Sequence, residues 1–407
     1  MNARSYACDV LYRVIYEGGY ASLLMRKMPD SFSAEDRSLI TEIVYGTLRN
    51  LSLLEYQWKD LAHGRVRRNT VVLLNLSVYQ LQYMDRIPSY AVINEAAEAA
   101  ARRDRGFVNA VLRNVAKRGK IIPEGEWPKR ESILYSHPEF LLRMWEKQYG
   151  RDIAEKIAVY DQTRPKVYGR INTLKTDAGI RSLPEITMLE GDCFTYAENL
   201  VNTPWLKDGT ILIQSRTSQH VIRSLDVKPG MNVLDVCAAP GTKTQQIACA
   251  MQNQGSIKAG DVYEERVGLI HQLMERTGVT IAEAAVRDAA VPHEEDIGAY
   301  DRVLADVPCS GLGDLSHKPE IRFHVTPQML DEIVALQETI LKESARCLKP
   351  GGILVYSTCT LNRKENEGQV RKFLAAEPDY ELQEERTLFP FEEDSDGFYF
   401  AKIIRKA

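Results

Sequence analysis

The sequence predicts an all-α N-terminal bundle, a small α+β adaptor and a C-terminal α/β domain built on a doubly wound, Rossmann-like sheet. Three observations carry this. Residues 1–120 show apolar side chains at helical spacing and few strand-like runs. Residues 167–214 turn to short β-type segments, and from 215 onward apolar strands alternate with helices, the pattern of a parallel sheet covered on both faces. The chain has 407 residues, 44% hydrophobic and 27% charged, which is enough apolar side chain for more than one core. Wholesale disorder and a disulfide-stapled mini-protein are excluded. No apolar run reaches the ~20 residues of a membrane helix, and the first residues lack a signal-peptide core. The seven cysteines are sparse and include no C-x-x-C pair. The expectation is therefore a cytoplasmic, reducing setting, with no membrane partner and no metal site built on paired cysteines.

In the bundle, Cys8, Leu11, Tyr12 and Ile15 form one stripe, and Ser33 followed by Asp36 has the spacing of a helix-capping box. Further helices are expected at 38–62, 69–84, 89–103 and 106–118, punctuated by Pro88 and Gly106. The bundle is thus assigned to 1–125. Pro123, Gly125 and Pro128 mark 121–135 as a linker. Short helices from His137-Pro138-Glu139 and strands at 167–172 and 210–214 make an adaptor over 136–214. In the last domain, 215–407, strands are expected at 232–237, 256–261, 283–287, 301–306 and 352–358, with helices at 243–252, 264–277 and 327–348. The run Phe398–Arg405 follows a Ser395-Asp396-Gly397 turn and reads as a final antiparallel strand.

The net charge of −4 conceals an asymmetry: residues 1–130 carry +6 and the remainder −10. The basic residues of the bundle cluster as Arg65-Val66-Arg67-Arg68, Arg102-Arg103-Asp104-Arg105 and Lys117-Arg118-Gly119-Lys120. A basic module joined to an acidic one fits a polyanionic partner held by the first.

The chemistry is concentrated in the last domain. Val233-Leu234-Asp235-Val236-Cys237-Ala238-Ala239-Pro240-Gly241-Thr242-Lys243-Thr244 reads as a buried strand, a turn of small residues and a helix start, where backbone and free N–H groups can approach a ligand. It is neither a Walker A loop, since Cys237 and Thr242 stand where glycines are required, nor a G-x-G-x-x-G fingerprint. Asp261 ends the second strand, twenty residues past Gly241, where a carboxylate meets ribose hydroxyls in nucleotide-binding α/β folds. Asp288 follows the third strand and Asp306 ends the fourth. One carboxylate per strand end points to one cleft and to a ligand with ribose and base. Asp306-Val307-Pro308-Cys309-Ser310-Gly311 and Tyr356-Ser357-Thr358-Cys359 each put a thiol just past a strand end. A zinc deaminase is excluded because no H-x-E accompanies a P-C-x-x-C. The residues alone do not choose which cysteine would attack a substrate.

These segments, Val236–Thr244, Asp306–Gly311 and Ser357-Thr358-Cys359 with Glu365-Asn366-Glu367, together resemble the signature motifs of the S-adenosylmethionine-dependent RNA cytosine-C5 methyltransferases of the NOL1/NOP2/Sun group. Thr242 stands where that family usually has a second glycine. The helical first third, including Phe107-Val108-Asn109-Ala110-Val111-Leu112-Arg113-Asn114-Val115, resembles the RNA-binding factor NusB, and the combination is similar in layout to a bacterial 16S rRNA methyltransferase. The resemblance implies S-adenosylmethionine as cofactor, with Cys237, Ala238, Ala239, Pro240, Gly241, Thr242 and Lys243 around its methionine part, Asp261 at the ribose, Asp288 at the adenine and Asp306 alongside. It implies Cys359 as nucleophile at cytosine C6 and Cys309 as the residue assisting breakdown of the adduct. Lys243 has two further expected partners, the Cys359 thiolate and an RNA phosphate. The implied substrate is a loop or unpaired cytosine of 16S rRNA and the implied state a monomer. A tRNA cytosine, or an assembly factor that binds RNA without catalysis, are the alternatives left open.

Overall fold

Helical stripes in the first part of the chain converge on one core. Helices Ala3–Glu17, Ala34–Arg49, Arg68–Tyr83, Ser89–Ala99 and Arg105–Arg118 bury Leu11, Val14, Ile40, Ile43, Leu74 and Leu112 against one another. Ser33 caps the second of these as expected, its Oγ accepting the Asp36 N–H at 3.1 Å. The helix expected over 38–62 is interrupted at Asn50, between Ala34–Arg49 and Leu51–Tyr56. The Asn50 side chain donates to the Gly46 carbonyl at 2.9 Å, a local bond that competes with helical continuation. The expected linker at 121–135 is also ordered. Gln57 accepts from Ile121 N–H at 2.8 Å and donates to its carbonyl at 2.9 Å, and Lys129–Leu134 is a helix with Glu131 buried.

The computed structural model describes residues 2–176 and 179–407. They form two compact units: the chain up to Arg164 together with Leu315–Val325, and Pro165–Asp314 with Thr326–Ala407. The helices of the expected adaptor thus pack in the first unit and its strands in the second. In the first unit the inserted segment is deeply held. Glu320 accepts the Ala21 N–H at 2.9 Å, Arg322 donates to the carbonyls of Tyr135 and Leu315 at 3.0 and 3.3 Å, and His324 bonds the Val14 carbonyl at 3.0 Å.

The second unit contains a seven-stranded sheet. Its strands are β1 (Asn232–Asp235), β2 (Ser256–Asp261), β3 (Ala282–Val286), β4 (Tyr300–Asp306), β5 (Leu348–Thr358), β6 (Tyr380–Leu388) and β7 (Phe398–Arg405). The order is β6-β7-β5-β4-β1-β2-β3, parallel except for β7, which runs antiparallel to both β5 and β6. Sheet order reverses between β1 and β4, so the binding crevice of such a fold opens at their C-terminal ends. Sequence patterning missed strand β6 and the helices Arg216–Ser224 and Glu367–Ala376. In β6, Glu381, Glu384 and Glu385 give low β-propensity, as suits an exposed edge that must not template aggregation.

A second, antiparallel sheet has the order Ile186–Met188, Cys193–Tyr196, Tyr168–Ile171, Ile211–Ile213. Buried Arg170 leaves it to donate to Gln214 Oε1 at 2.6 Å and to the Thr242 carbonyl at 3.4 Å, tying it to the helix after β1. Among the described residues no helix is long and apolar enough to cross a membrane.

Candidate active site

The loop after β1 is shaped by its small residues. Val236 N–H donates to Leu304 of β4 at 3.0 Å and Ala238 N–H to Gly260 of β2 at 2.8 Å, so the turn is strapped across both neighbouring strands. Gly241, at φ +102, makes the left-handed step that L side chains resist, and helix Thr242–Ala250 starts there without a side-chain cap. Its first amides are therefore open to a ligand. Behind the turn, Asp235 is 1% exposed. Its Oδ2 accepts from Thr244 at 2.7 Å, while Oδ1 has no hydrogen-bond partner. Burial pushes its carboxyl up to about 7. Cys237 is likewise pushed up, by burial and then by the charges of Asp235, Asp306 and Asp261, and so keeps its proton.

The acidic series lies where strand order predicts. Asp261 is buried at the end of β2, accepting from Tyr263 N–H at 3.3 Å and facing Arg266 at 3.4 Å. Asp288 is exposed two residues past β3 and caps its own turn through Ala290 N–H at 2.9 Å. Asp306, at the end of β4, is bound on both oxygens: Lys243 Nζ donates to Oδ2 at 2.7 Å and Ser357 Oγ to Oδ1 at 2.8 Å. Lys243 thus has a partner in this structure that the sequence did not offer. Burial works against the charge of Lys243, but the Asp306 carboxylate outweighs it and holds the ammonium pKa above its ordinary value.

Strands β4 and β5 are paired neighbours in register, Asp306 opposite Ser357. The residues just beyond them therefore meet, and Cys309 Sγ lies 3.2 Å from Cys359 Sγ, both half-buried. The Cys309 thiol is pushed well above its ordinary value, first by its hydrogen bond to Cys359 and then by burial. So shifted, the Cys309 thiol keeps its proton.

What sequence reasoning missed is the group that clamps the two loops. Glu365 is fully buried and its two oxygens take four hydrogen bonds. Oε2 accepts from Ser310 N–H at 2.9 Å and from Gln337 Nε2 at 3.1 Å; Oε1 accepts from Ser310 Oγ at 2.5 Å and Asn362 Nδ2 at 2.9 Å. The loop of Cys309 is thereby fastened to the loop that follows Cys359. Thr360 adds two bonds, to Ser310 Oγ at 2.7 Å and from Leu312 N–H at 3.2 Å. The signal for Glu365 in the sequence was the Glu365-Asn366-Glu367 run that accompanies Ser357-Thr358-Cys359.

Comparison with known proteins agrees with this architecture. Residues 222–404 match a family model described as 16S rRNA methyltransferase RsmB/F, and residues 1–117 match the NusB family. The crystal structure of PH0851 superposes with a TM-score of 0.80 over 98% of each chain at 24% identity, a likeness of fold. A methyltransferase homolog protein from Pyrococcus horikoshii matches with a TM-score of 0.61 at 27% identity, covering 69% of this chain and all of that one. A probable ribosomal RNA small subunit methyltransferase B of Bacillus subtilis is 34% identical over 444 aligned positions, covering 100% of this chain and 99% of its own. A NusB domain ahead of an S-adenosylmethionine-dependent catalytic sheet, matched over the full length, means that this chain belongs to the ribosomal RNA small subunit methyltransferase B family.

Proposed function

We infer that the protein methylates C5 of a cytosine in small-subunit rRNA, with Cys359 as the nucleophile. The observation that carries this reading is the pair of sulfurs 3.2 Å apart at the ends of adjacent strands, beside the Lys243–Asp306 ion pair.

S-adenosylmethionine, the methyl donor of the family, supplies an electrophilic methyl group on sulfonium. The residues at hand fit such a molecule. The uncapped helix start after Gly241 and the small-residue turn 237–241 would hold its methionine part, and Asp261 would meet the ribose hydroxyls with Asp288 towards the adenine. The unpartnered Oδ1 of Asp235 offers a further buried acceptor beneath the turn.

Cytosine C5 is a poor nucleophile until C6 has been attacked. The Cys359 sulfur, as thiolate, forms the S–C6 bond, and the ring electrons shift to C5 and N3. Asp306 lies beside this chemistry, a hydrogen-bonding group for the cytosine N3–N4 edge where charge develops. C5 takes the methyl group, leaving the donor sulfur as a neutral thioether; the C5 proton then passes to Cys309 as the C6–S bond breaks and the aromatic ring is restored, while Cys309 gives its own proton to the departing Cys359 sulfur. Cys309, protonated and in hydrogen-bond contact with the Cys359 sulfur, assists that release by proton exchange. A cytosine in a loop is the easier target, since drawing a base from a stem costs a few kcal/mol.

The test is methyl transfer from labelled S-adenosylmethionine to unmodified small-subunit rRNA, with denaturing gels to trap protein–RNA adducts. Label in 5-methylcytosine is expected from the native protein. Cys359→Ala abolishes both label and adduct, and Cys309→Ala lets adduct accumulate while turnover falls. The opposite pattern gives the nucleophile role to Cys309. Label confined to tRNA, or none, rejects the substrate.

A further inference from the structure

The turn that would receive the methionine part of S-adenosylmethionine lies among acids. After burial, the charges of Asp235, Asp306 and Asp261 are what push up the Cys237 thiol within it. The methionine part carries a carboxylate, which such surroundings repel. The cations beside the turn are already engaged: Lys243 Nζ lies 2.7 Å from Asp306 Oδ2, and Arg266 Nη2 lies 3.4 Å from Asp261 Oδ2. The open amides at the start of helix Thr242–Ala250 contribute only partial positive charge.

One further cation reaches this helix. Arg170, on strand Tyr168–Ile171 of the four-stranded sheet, is 2% exposed. Its oxygen acceptors are all amides. Nε donates to Gln214 Oε1 at 2.6 Å, and Nη2 donates to Gln245 Oε1 and, at 3.4 Å, to the Thr242 carbonyl. Nη1 faces the Cys249 sulfur at 3.8 Å. Among the described residues no carboxylate lies within ion-pair distance of it. Burial lowers its pKa from the usual arginine value, yet a guanidinium keeps its proton at neutral pH. A buried charge without a counter-ion destabilises a fold, and a neutral side chain of similar length would fill the same space.

The surroundings hold the guanidinium in one place. Gln245 Nε2 donates to Asn172 Oδ1 at 2.8 Å, and Gln214 Nε2 to Gln246 Oε1 at 2.8 Å. Thr242 and Gln245 both belong to the first turn of the helix, so the charge is fixed against the end that adjoins the acidic turn. In buried surroundings its field is little screened by salt.

We propose that Arg170 is a positioning residue for the cofactor: it fixes the first turn of helix Thr242–Ala250, and its uncompensated charge favours the carboxylate of S-adenosylmethionine at the helix start. It acts through the helix and the field, away from the reacting atoms. The proposal rests on the reading of residues 237–243 as the site of the methionine part.

The test is titration calorimetry of the full-length protein with S-adenosylmethionine and with decarboxylated S-adenosylmethionine, which keeps the adenosine, the sulfonium and the amine. Arg170→Gln keeps hydrogen-bond donors and removes the charge. Gln214→Glu keeps the charge and gives it a carboxylate beside Nε. In both variants the native preference for S-adenosylmethionine is expected to shrink roughly tenfold, while affinity for the decarboxylated form stays within about twofold. Arg170→Lys, which keeps the charge and loses the planar fork, restores most of the preference. Gln214→Glu supplies a counter-ion to a buried charge, so the test stands on it where Arg170→Gln does not fold. Equal weakening of both ligands would make Arg170 merely structural and overturns the proposal. So does an undiminished preference in Arg170→Gln and Gln214→Glu, or a native protein that binds both ligands alike. A native protein that binds neither ligand overturns instead the reading of the turn as the cofactor's, so the two failures are distinguishable.

Discussion

Asp235 shows how much a single buried carboxylate can cost the fold. Its carboxyl titrates at about 7 in the folded protein, against ~3.9 in an unfolded chain. The folded state therefore binds this proton more tightly. The carboxylate opposes folding increasingly as pH rises above the unfolded value, with its full effect above pH 7, on the order of 4 kcal/mol. Asp235→Asn keeps an acceptor for Thr244 and removes the charge. Ligand-free D235N is expected to melt well above the native protein at pH 8, with the gap narrowing towards pH 5. Thermal melts across that range check it, and a gap independent of pH would show that charge is not the cause. Glu365 is the contrasting case: equally buried, but with four donors on its carboxylate, it acts as a fastener.

At the scale of elements, the cysteine pair depends on two loops that touch backbone to backbone. Gly313 N–H donates to the Cys359 carbonyl at 3.0 Å, and Gly397 N–H donates to the Gly313 carbonyl at 2.7 Å. A Cβ on Gly313 would overlap the Gly397 carbonyl oxygen and come within 2.9 Å of the Cys359 carbonyl oxygen. Backbone cannot yield as a flexible side chain does. Gly313→Ala is therefore expected to cost about 1–3 kcal/mol by overpacking and to push the Cys309 and Cys359 loops apart. Kinetics should show a fall in kcat at unchanged S-adenosylmethionine affinity. Native kcat in G313A would mean that the loops tolerate separation.

At the scale of the whole molecule, the chain passes between its units more often than a string of domains would. It leaves the second unit after Asp314, contributes Leu315–Val325 to the first, and returns at Thr326. Within the first unit Arg322 is fully buried, and burial lowers its guanidinium to about 10. It persists there because it is spread over the carbonyls of Tyr135, Ser136 and Leu315. Arg322→Ala leaves these acceptors without their donor in a dry site, a loss on the order of 3 kcal/mol, and lowers the melting temperature of this unit by several degrees. An unchanged melt would show that water replaces the guanidinium. The family match to residues 222–404 contains this segment, although its packing belongs to the N-terminal body.

Local pattern determined much about this protein. The helical stripe at Cys8–Ile15, the Ser33 cap, the strand–small turn–helix at Val233–Thr244 and the carboxylates at strand ends are all decided within a few residues by periodicity, capping and turn chemistry. Each could therefore be read without knowing its neighbours in space. The resemblance carried by the three motifs then named the chemistry. Other features were decided only by tertiary structure. The glutamate-rich β6 is a strand because β7 offers it a partner, and 121–135 is ordered because Gln57 reaches across to it. The register of β4 on β5 brings two sulfurs within 3.2 Å, and Leu315–Val325 finds its core in the other unit. These outcomes rest on hydrogen bonds and packing between residues far apart along the chain, and no window of sequence contains both partners.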